Sequence, residues 1–390
     1  MKMLILADDF TGVMDTGCPF AQEGISTSVY MGSPVGICPS DEVLVVDTQT
    51  RHKMPGEAYQ ITQSLLRRLA PQYDSIYIKT DSAFRGNVSA VLAAAVDTLG
   101  IPIHFVPSYP QVGRKLEKGM IYIGEQLLED SPFARDPRSP MRISRAVDIL
   151  RMDYPLSCTL VQERTGFQAV PGTQVYLYDC SSVEGICQIG EELIERNRMR
   201  LVGGCAGLAD VLAQKLSKGR VHLEPPKRKG LLIVSGSANA YTFAQLERRR
   251  GGRIVNLARE KIQLENCVTC LRQGETLILA AACGPEDLVQ NPSESYHIEL
   301  GQTLARLTEQ LLRGSGVRNL VIFGGDTLQA ILKRLSCSRV KIRGYLEEGV
   351  PVCDGETSLG NLHLVTKSGG LGSQTVVSHI MDYYEGRIRK

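Results

Sequence analysis

The chain has 390 residues, 43% of them hydrophobic and 22% charged, with a formal net charge of +2 at pH 7. These values are typical of a globular protein, and the length predicts two domains. The near-neutral charge argues against electrostatic capture of nucleic acid or of an anionic membrane, so we expect neither partner. No apolar run is long enough to cross a membrane and no secretory signal pattern opens the chain, which predicts a cytoplasmic protein.

The first two hundred or so residues alternate strand-like and helix-like segments. The strand-like runs are MLILA (3–7), STSVYM (26–31), EVLVV (42–46), SIYIK (75–79), IHFVP (103–107), SCTLVQ (157–162) and TQVYLYD (173–179). The helix-like segments are GEAYQITQSLLRRLA (56–70), NVSAVLAAAVDTLG (87–100) and EGICQIGEELIERN (184–197). This alternation predicts a largely parallel sheet covered on both faces. The stretch GMIYIGEQL (119–127) instead predicts a small hairpin or flap, because two glycines bracket an alternating pattern.

A linker is predicted in HLEPPKRKG (222–230), which has two prolines, three cations and no apolar periodicity. After it the alternation restarts with LLIVSGS (231–237), TLILAAACG (276–284), NLVIFGGD (319–326) and LHLVTKSGG (362–370). We therefore expect two α/β domains, residues 1–225 and 226–390. Eleven scattered cysteines indicate reduced thiols, and the one close pair, Cys267 and Cys270, is expected to be structural because no second pair lies nearby.

Polar side chains follow four of the predicted N-terminal strands. They are Asp8 and Asp9 with Asp15 behind them, then Asp47, Thr48 and Arg51, then Lys79, Asp81, Ser82 and Arg85, and finally Ser108 and Arg114. Ligands of open α/β sheets bind beyond the carboxyl ends of the strands, so these groups are expected to line one cleft. Cations bind a carboxylate, and aspartates accept hydrogen bonds or a proton from hydroxyls, which suits a small polyhydroxylated anion. The alternative is that Asp8 or Asp9 caps the first helix; Asn87 is likewise expected to cap a helix after Gly86.

Three glycine-rich turns follow strands in the C-terminal domain. Their residues are Ser235, Gly236 and Ser237, then Gly324, Gly325, Asp326 and Thr327, and then Lys367, Ser368, Gly369 and Gly370. Such turns expose backbone N–H groups at a helix N-terminus, where phosphate oxygens bind. Neither GxxxxGK[ST] nor GxGxxG occurs, which disfavours a P-loop NTPase and a standard dinucleotide site. Asp326 is a candidate Mg²⁺ ligand, directly or through water.

These motifs together resemble the four-carbon acid sugar kinase family, which includes D-threonate, L-threonate, D-erythronate and 3-oxo-tetronate kinases. The similar segments are ADDFTGVMDTG, KTDSAFRGNV, PSYPQVGR, FARDPRSPM, VSGSANAYTFAQL, GGDT and TKSGGLG. The resemblance implies an N-terminal sugar-acid domain, a C-terminal ATP-binding domain and an active site in the cleft between them. It also implies that ATP, with Mg²⁺, phosphorylates the terminal hydroxyl of the acid.

Site residues follow from the same resemblance. Nucleotide contacts are implied for the residues of the three glycine turns. Substrate contacts are expected for Asp8, Asp9, Arg51, Lys79, Asp81, Ser82, Arg85 and Arg114, with Lys79 and Arg85 holding the carboxylate. For the catalytic base, Asp9 or Asp15 is favoured over Asp8. Ala83, Asp326 and Leu371 stand where the family commonly has a hydroxyl residue, Glu and Phe.

Two other classes of function stay open from the sequence. One is a sugar-acid sensor that binds nucleotide without turnover. The other is an oxidoreductase or aldolase using the same cleft, which would require a nicotinamide fingerprint or a Schiff-base lysine; the fingerprint is absent. The sequence leaves open which four-carbon acid and stereoisomer is used, and whether the protein is a homodimer.

Overall fold

The computed structural model describes residues 1–31, 41–136, 139–163, 167–226 and 229–387, without the side chains of Thr11 and Glu294. The chain divides into two compact units, Met1–Arg220 and Val221–Lys390. Two parts of predicted segments lie outside the described residues: Lys227 and Arg228 of the linker, and Pro137 and Arg138 of FARDPRSPM.

The N-terminal unit alternates strands and helices as predicted. Its elements are β1 (Met3–Ala7), α1 (Phe10–Gln22), β2 (Thr27–Met31), β3 (Val43–Asp47), α2 (Pro55–Leu69), β4 (Ser75–Lys79), α3 (Val88–Leu99), β5 (Ile103–Val106), β6 (Arg114–Glu117), β7 (Met120–Ile123), β8 (Gln126–Leu127), α4 (Ala146–Leu150), β9 (Cys158–Val161), β10 (Val175–Tyr178), α5 (Val183–Glu195), β11 (Leu201–Gly204) and α6 (Ala206–Lys215).

Eight of these strands form a parallel sheet in the order β2-β3-β1-β4-β11-β5-β10-β9. All five residues of β1, β3 and β4 are buried, as expected for central strands covered on both faces. Helix α1 packs on α6, whereas α2 packs on α3. The chain leaves β1 toward β3 on one side and later returns to β4 on the other, so a topological switch point lies between β1 and β4.

The predicted hairpin is confirmed and is larger than expected. Strands β6, β7 and β8 form a separate antiparallel sheet, with Leu116 opposite Ile121 and Ile123 opposite Gln126. Its first residue, Arg114, belongs to the predicted polar cluster, so the small sheet carries one of the candidate site residues.

The C-terminal unit is a second α/β unit. Its elements are β12 (Leu231–Ser235), α7 (Ala240–Glu247), β13 (Arg253–Asn256), α8 (Leu264–Arg272), β14 (Thr276–Ala280), α9 (Glu294–Ser315), β15 (Asn319–Phe323), α10 (Gly325–Arg334), β16 (Arg339–Glu347), β17 (Val350–Thr357), β18 (Gly360–Lys367) and α11 (Val376–Tyr384). Strands β13-β14-β12-β15-β18 are parallel and adjacent in that order. Strands β17 and β16 extend the sheet in antiparallel fashion.

Two further observations concern predictions from composition. Cys267 and Cys270 both lie on α8 and are buried, and the Cys270 thiol donates to Glu275 Oε2 at 3.2 Å, which supports the structural interpretation. Among the described residues, no helix is long and apolar enough to cross a membrane.

Candidate active site

Helix α1 begins at the switch point because Asp9 caps it. Asp9 Oδ1 accepts a hydrogen bond from Gly12 N at 2.8 Å, which satisfies a first-turn N–H group that has no partner within the helix. Asp9 Oδ2 accepts from Arg51 Nη1 at 2.5 Å. Of the two acids expected as alternatives for capping, Asp9 is therefore the cap, and both of its oxygens are engaged.

Arg51 holds three strand ends together. Its Nε and Nη2 donate to the two oxygens of Asp8, both at 2.9 Å, and its Nη2 lies 3.7 Å from Asp81 Oδ1. Burial opposes the charge of this guanidinium, but the three surrounding carboxylates outweigh burial and raise the pKa of Arg51. The bidentate geometry with Asp8 and the contact with Asp9 occupy the donor edge of the guanidinium. Arg51 is therefore a clamp between the loops after β1, β3 and β4.

The KTDSAFRG loop after β4 is organised by a second acid–base pair. Asp81 Oδ2 accepts from Ala83 N at 3.0 Å, and Arg85 donates from Nε and Nη2 to the two Asp81 oxygens at 3.0 and 2.9 Å. Arg85 Nη1 also donates to Asp136 Oδ2 at 3.0 Å. Burial opposes ionisation of Asp81, but the hydrogen bond from Arg85 and the charges of Arg51, Arg85 and Lys79 outweigh it and lower its pKa to about 2. Asp81 is thus an ionised carboxylate already held by arginines.

Phe84 anchors this loop in the hydrophobic core. It is buried, its ring contacts Phe105 edge-on at 6.0 Å, and its φ of 58° lies in the left-handed region that bulky residues rarely adopt. Ala83 is 1% exposed and belongs to the same core. A hydroxyl-bearing side chain at this position would therefore lie among apolar side chains. Ser82 precedes Ala83 in the sequence and is half-buried.

Asn87 differs from its predicted capping role. Its side chain makes no capping hydrogen bond to α3; instead Nδ2 donates to Thr50 O at 2.7 Å and to Lys53 O at 2.8 Å. The amide therefore ties the start of α3 to the segment after β3, and that contact outweighs local capping.

Arg114 differs from Arg51 and Arg85 because it pairs with no carboxylate among the described residues. Its Nε is buried and has no hydrogen-bond partner among the described residues, and it forms no ion pair with any described carboxylate. Burial lowers the pKa of Arg114. The ring of Phe133 lies 5.2 Å from the Arg114 guanidinium carbon and 5.1 Å from that of Arg85, within the range of cation–π contacts.

Asp15 and Lys79 also lack an ion-pair partner among the described residues. Asp15 lies in the second turn of α1 and is half-buried. Burial raises its pKa to about 6, although the charge of Lys79 works in the opposite direction. Lys79 Nζ donates only to Thr80 O at 2.9 Å among the described residues, and a Cβ added at Gly12 would lie 3.0 Å from it. The glycine therefore lets the ammonium approach the start of α1.

Two residues of this cluster were not identified from the sequence. Phe133 contacts two arginines, and Asp136 pairs with Arg85. Both belong to the FARDPRSPM segment, whose sequence indicates no role for them because its position beside Arg85 depends on tertiary structure. Asp47, which the sequence predicts in the cluster, accepts hydrogen bonds from Gln49 on both of its oxygens, and burial raises its pKa to about 6.

The three glycine turns of the C-terminal unit come together at one sheet edge. Gly236 N donates to Phe323 O at 3.1 Å, and Gly324 N donates to Lys367 O at 3.0 Å. A Cβ at Gly236 would collide with Thr327 Oγ1, so only glycine allows the first two turns to pack this closely. Ser237 Oγ lies 3.0 Å from Thr242 Oγ1, which itself donates to Gly369 O at 2.8 Å.

Not every predicted nucleotide residue faces solvent. Ser235 is fully buried, and its hydroxyl has no partner among the described residues. Ser237, Thr327 and Lys367 are also buried. The exposed or half-buried residues are Gly236, Gly324, Gly325, Asp326, Ser368, Gly369 and Gly370.

The exposed part of these turns fits a phosphate group. Within the described part of the chain no side chain caps α10, so the first-turn N–H groups of this helix remain available. A Cβ at Gly325 would meet nothing within 4 Å, so open space adjoins the turn. Asp326 adds one exposed carboxylate. The described residues contain no group of three or more His, Cys, Asp or Glu that could hold a metal ion.

Comparison with known proteins identifies the class. Residues 3–212 match the model of a sugar-binding N-terminal domain, and residues 232–377 match that of a nucleotide-binding C-terminal domain. The D-threonate kinase of Salmonella typhimurium strain LT2 is 26% identical over 99% of both chains. The 3-oxo-tetronate kinase of Pseudomonas fluorescens is 25% identical over 98% of this chain and 96% of its own. The protein is a carbohydrate kinase.

The two domain models, found in this order over most of the chain, define the family more narrowly. The chain belongs to the four-carbon acid sugar kinase family. Solved structures confirm the two-domain α/β fold: a Haemophilus influenzae protein superposes with a TM-score of 0.83 at 20% identity, covering 98% of this chain and all of its own. A Salmonella typhimurium protein gives 0.81 at 22% identity, covering 97% and 98%.

Proposed function

We propose that this protein is an ATP-dependent kinase that phosphorylates the terminal 4-hydroxyl of a four-carbon sugar acid such as threonate or erythronate. The names of the relatives support the substrate class. One observation carries the proposal: some charged side chains of the N-terminal cluster neutralise one another, whereas others remain available to bind or activate a substrate. Asp15, Lys79 and Arg114 are the available ones.

The acceptor carboxylate binds Arg114. Arg51 is engaged by Asp8, Asp9 and Asp81, and Arg85 by Asp81 and Asp136, so neither can bind an anion without giving up an existing partner. The buried Nε of Arg114 has no partner in the described part of the chain, and an arginine that meets a carboxylate gains charge-assisted, often bidentate hydrogen bonds. This proposal moves the carboxylate contact from Lys79 and Arg85, where the sequence predicted it, to Arg114.

The acceptor hydroxyl is activated by Asp15. A general base works best when its pKa lies near the operating pH, and burial raises the pKa of Asp15 to about 6. Asp9 is less suited because one oxygen caps α1 and the other accepts from Arg51. The nearby ammonium of Lys79 favours the ionised form of Asp15 and offsets negative charge where phosphate and acceptor meet.

ATP binds the exposed glycine turns of the C-terminal unit, with phosphate oxygens on the backbone N–H groups of Gly325, Gly369 and Gly370. Asp326, at the first turn of α10, is the residue that would help to hold Mg²⁺, which when bound neutralises charge on the phosphate oxygens. Transfer requires the acceptor hydroxyl and the γ-phosphate to meet, so both units take part in one reaction; the predicted cleft stays a prediction.

An acceptor panel tests the proposal. Purified protein is mixed with ATP and Mg²⁺ and, in separate reactions, with D-threonate, L-threonate, D-erythronate and a 3-oxo-tetronate, and ADP release is followed. We expect one or two acids to give turnover, with the product carrying phosphate on C4 by phosphorus–carbon coupling in NMR. Thermal stabilisation by an acid and ATP without ADP release would instead support a sensor, and phosphate on another carbon would contradict the 4-hydroxyl.

The Arg114 assignment has its own test. Arg114→Met should raise the apparent KM for the acid by 100-fold or more and leave the KM for ATP within twofold, because only the carboxylate contact is lost. Arg142→Met is the matched control, since Arg142 is an exposed arginine of the same unit. An unchanged KM for the acid in Arg114→Met would remove Arg114 from the binding site.

A further inference from the structure

The loop of residues 368–373, between β18 and α11, turns most of its carbonyl oxygens toward the protein. Lys367 Nζ donates to Ser368 O at 2.9 Å, to Gly369 O at 3.1 Å and to Leu371 O at 3.2 Å. Lys367 is 2% exposed, and its ammonium lies 5.0 Å from the centre of the Phe323 ring. The sequence predicted that Lys367 contacts nucleotide, whereas its ammonium is occupied by the loop's own backbone.

Gln245 holds the second half of the same loop. Its Nε2 donates to Leu371 O at 3.1 Å, to Gly372 O at 3.3 Å and to Ser373 O at 2.8 Å. Gln245 is 1% exposed and lies on α7, which also supplies Thr242 and its hydrogen bond to Gly369 O. Three buried side chains from β18 and α7 therefore bind the backbone of this loop.

The direction of the carbonyls determines the direction of the amides. In a trans peptide unit the C=O and the following N–H point to opposite sides. Because Ser368 O and Gly369 O point toward Lys367 and Thr242, the N–H groups of Gly369 and Gly370 point away from the buried side. Gly370 is exposed and Gly369 half-buried. Successive N–H groups directed to one side form a concave anion site.

We propose that Gln245, Lys367 and Thr242 are positioning residues that build this phosphate-binding loop before the nucleotide arrives. None of the three touches the nucleotide; they bind the carbonyl side of the loop and thereby present its N–H groups to phosphate oxygens. The inference rests on the proposed use of ATP, and it deepens that proposal by assigning a role to α7, a helix that follows the first glycine turn.

The test compares ligands that differ in their phosphates. Gln245→Met removes the amide donors at similar side-chain length, and Thr242→Val removes the hydroxyl at similar volume. For each variant the dissociation constants of ADP and of adenosine are measured by calorimetry. We expect ADP to bind at least 10-fold more weakly with adenosine affinity unchanged, while the KM for the sugar acid stays within twofold. Thr242→Ser, which retains the hydroxyl, should restore ADP binding.

Gln374→Met is the matched control, because Gln374 is an exposed glutamine just after the loop whose described partner is Arg248. It should leave both dissociation constants unchanged. Two outcomes would overturn the positioning role: folded Gln245→Met and Thr242→Val proteins with wild-type ADP affinity, or an equal loss of ADP and adenosine affinity. If the wild-type protein bound neither ADP nor ATP, the proposed function itself would fail.

Discussion

Replacing Asp15 by Asn distinguishes the effect of this residue on the free energy of unfolding from its effect on kcat. Asp15 is half-buried on α1, and no described side chain donates a hydrogen bond to it; burial raises its pKa from 3.8 to about 6. The native state therefore binds the carboxyl proton more tightly than the unfolded chain does. The stability contributed by this group falls as the pH rises from about 4 to about 6 and stays reduced above that range.

The magnitude follows from the pKa. One pKa unit corresponds to about 1.4 kcal/mol, so a shift from 3.8 to about 6 costs the fold about 3 kcal/mol at pH 8. Asn has a similar volume and no charge, so Asp15→Asn should stabilise the protein by about 1–3 kcal/mol at pH 8 and by nearly nothing at pH 4. For a unit of 220 residues this is a rise in Tm on the order of 5 °C at pH 8. Loss of a general base should at the same time lower kcat by about 100- to 10,000-fold.

The assay combines thermal unfolding at pH 4 and pH 8 with ADP release at saturating ATP and sugar acid. Asp130→Asn is the control, because Asp130 is an exposed carboxylate of the same unit and should change neither measurement. An Asp15→Asn protein that is no more stable than wild type at pH 8 would refute the account of burial. A kcat within threefold of wild type would remove Asp15 from catalysis.

Three further predictions concern charge, packing and pH. Arg51→Met should destabilise the protein by about 3–5 kcal/mol in urea unfolding at pH 7, because it leaves buried carboxylates unpaired, and by clearly less at pH 4, because burial raises the pKa of Asp8 and acid favours its neutral form; an equal loss at both pH values would contradict the charge explanation. Gly236→Ala should lower Tm because its Cβ collides with the neighbouring turn, whereas Gly325→Ala should keep Tm and weaken ADP binding; similar Tm values for the two variants would refute the packing argument. The rate at saturating substrate should fall below about pH 6 because Asp15 becomes protonated. The pKa of Asp47 is also raised to about 6, but Asp47→Asn should show the same fall in rate at acidic pH.

Much of the fold could be predicted because central parallel strands are continuous apolar runs. β1, β4 and β15 are buried along their whole length, and the polar residues Ser75, Lys79 and Asn319 stand only at strand ends. Strands β16 and β17 are absent from the predicted elements. β16 alternates buried and half-buried residues, contains a glycine and has an irregular register to β17, so its pattern is weaker.

The sequence could predict which residues gather at the candidate site, but not which acid pairs with which base. The positions of Asp8, Arg51 and Asp81 after adjacent parallel strands are sufficient to bring them to one sheet edge. Which acid meets which base depends on side-chain reach across loops, and the sequence carries no signal for that. The same limit applies to Lys367, whose position in the TKSGG turn gives no indication that its ammonium is directed toward the backbone carbonyls of its own loop.

The neutralisation of Arg51 and Arg85 by neighbouring aspartates also affects which molecules the N-terminal unit can bind. Asp8, Asp9 and Asp81 neutralise Arg51 and much of the charge of Arg85, which leaves many fixed acids; among the described residues of the cluster, Arg114 and Lys79 are the cations without a carboxylate partner. A ligand with a carboxylate at one end and hydroxyls along the rest meets partners at every position. A dicarboxylate of the same length would bring its second negative end against those acids, and we expect the protein to reject tartrate-like diacids by repulsion rather than by size.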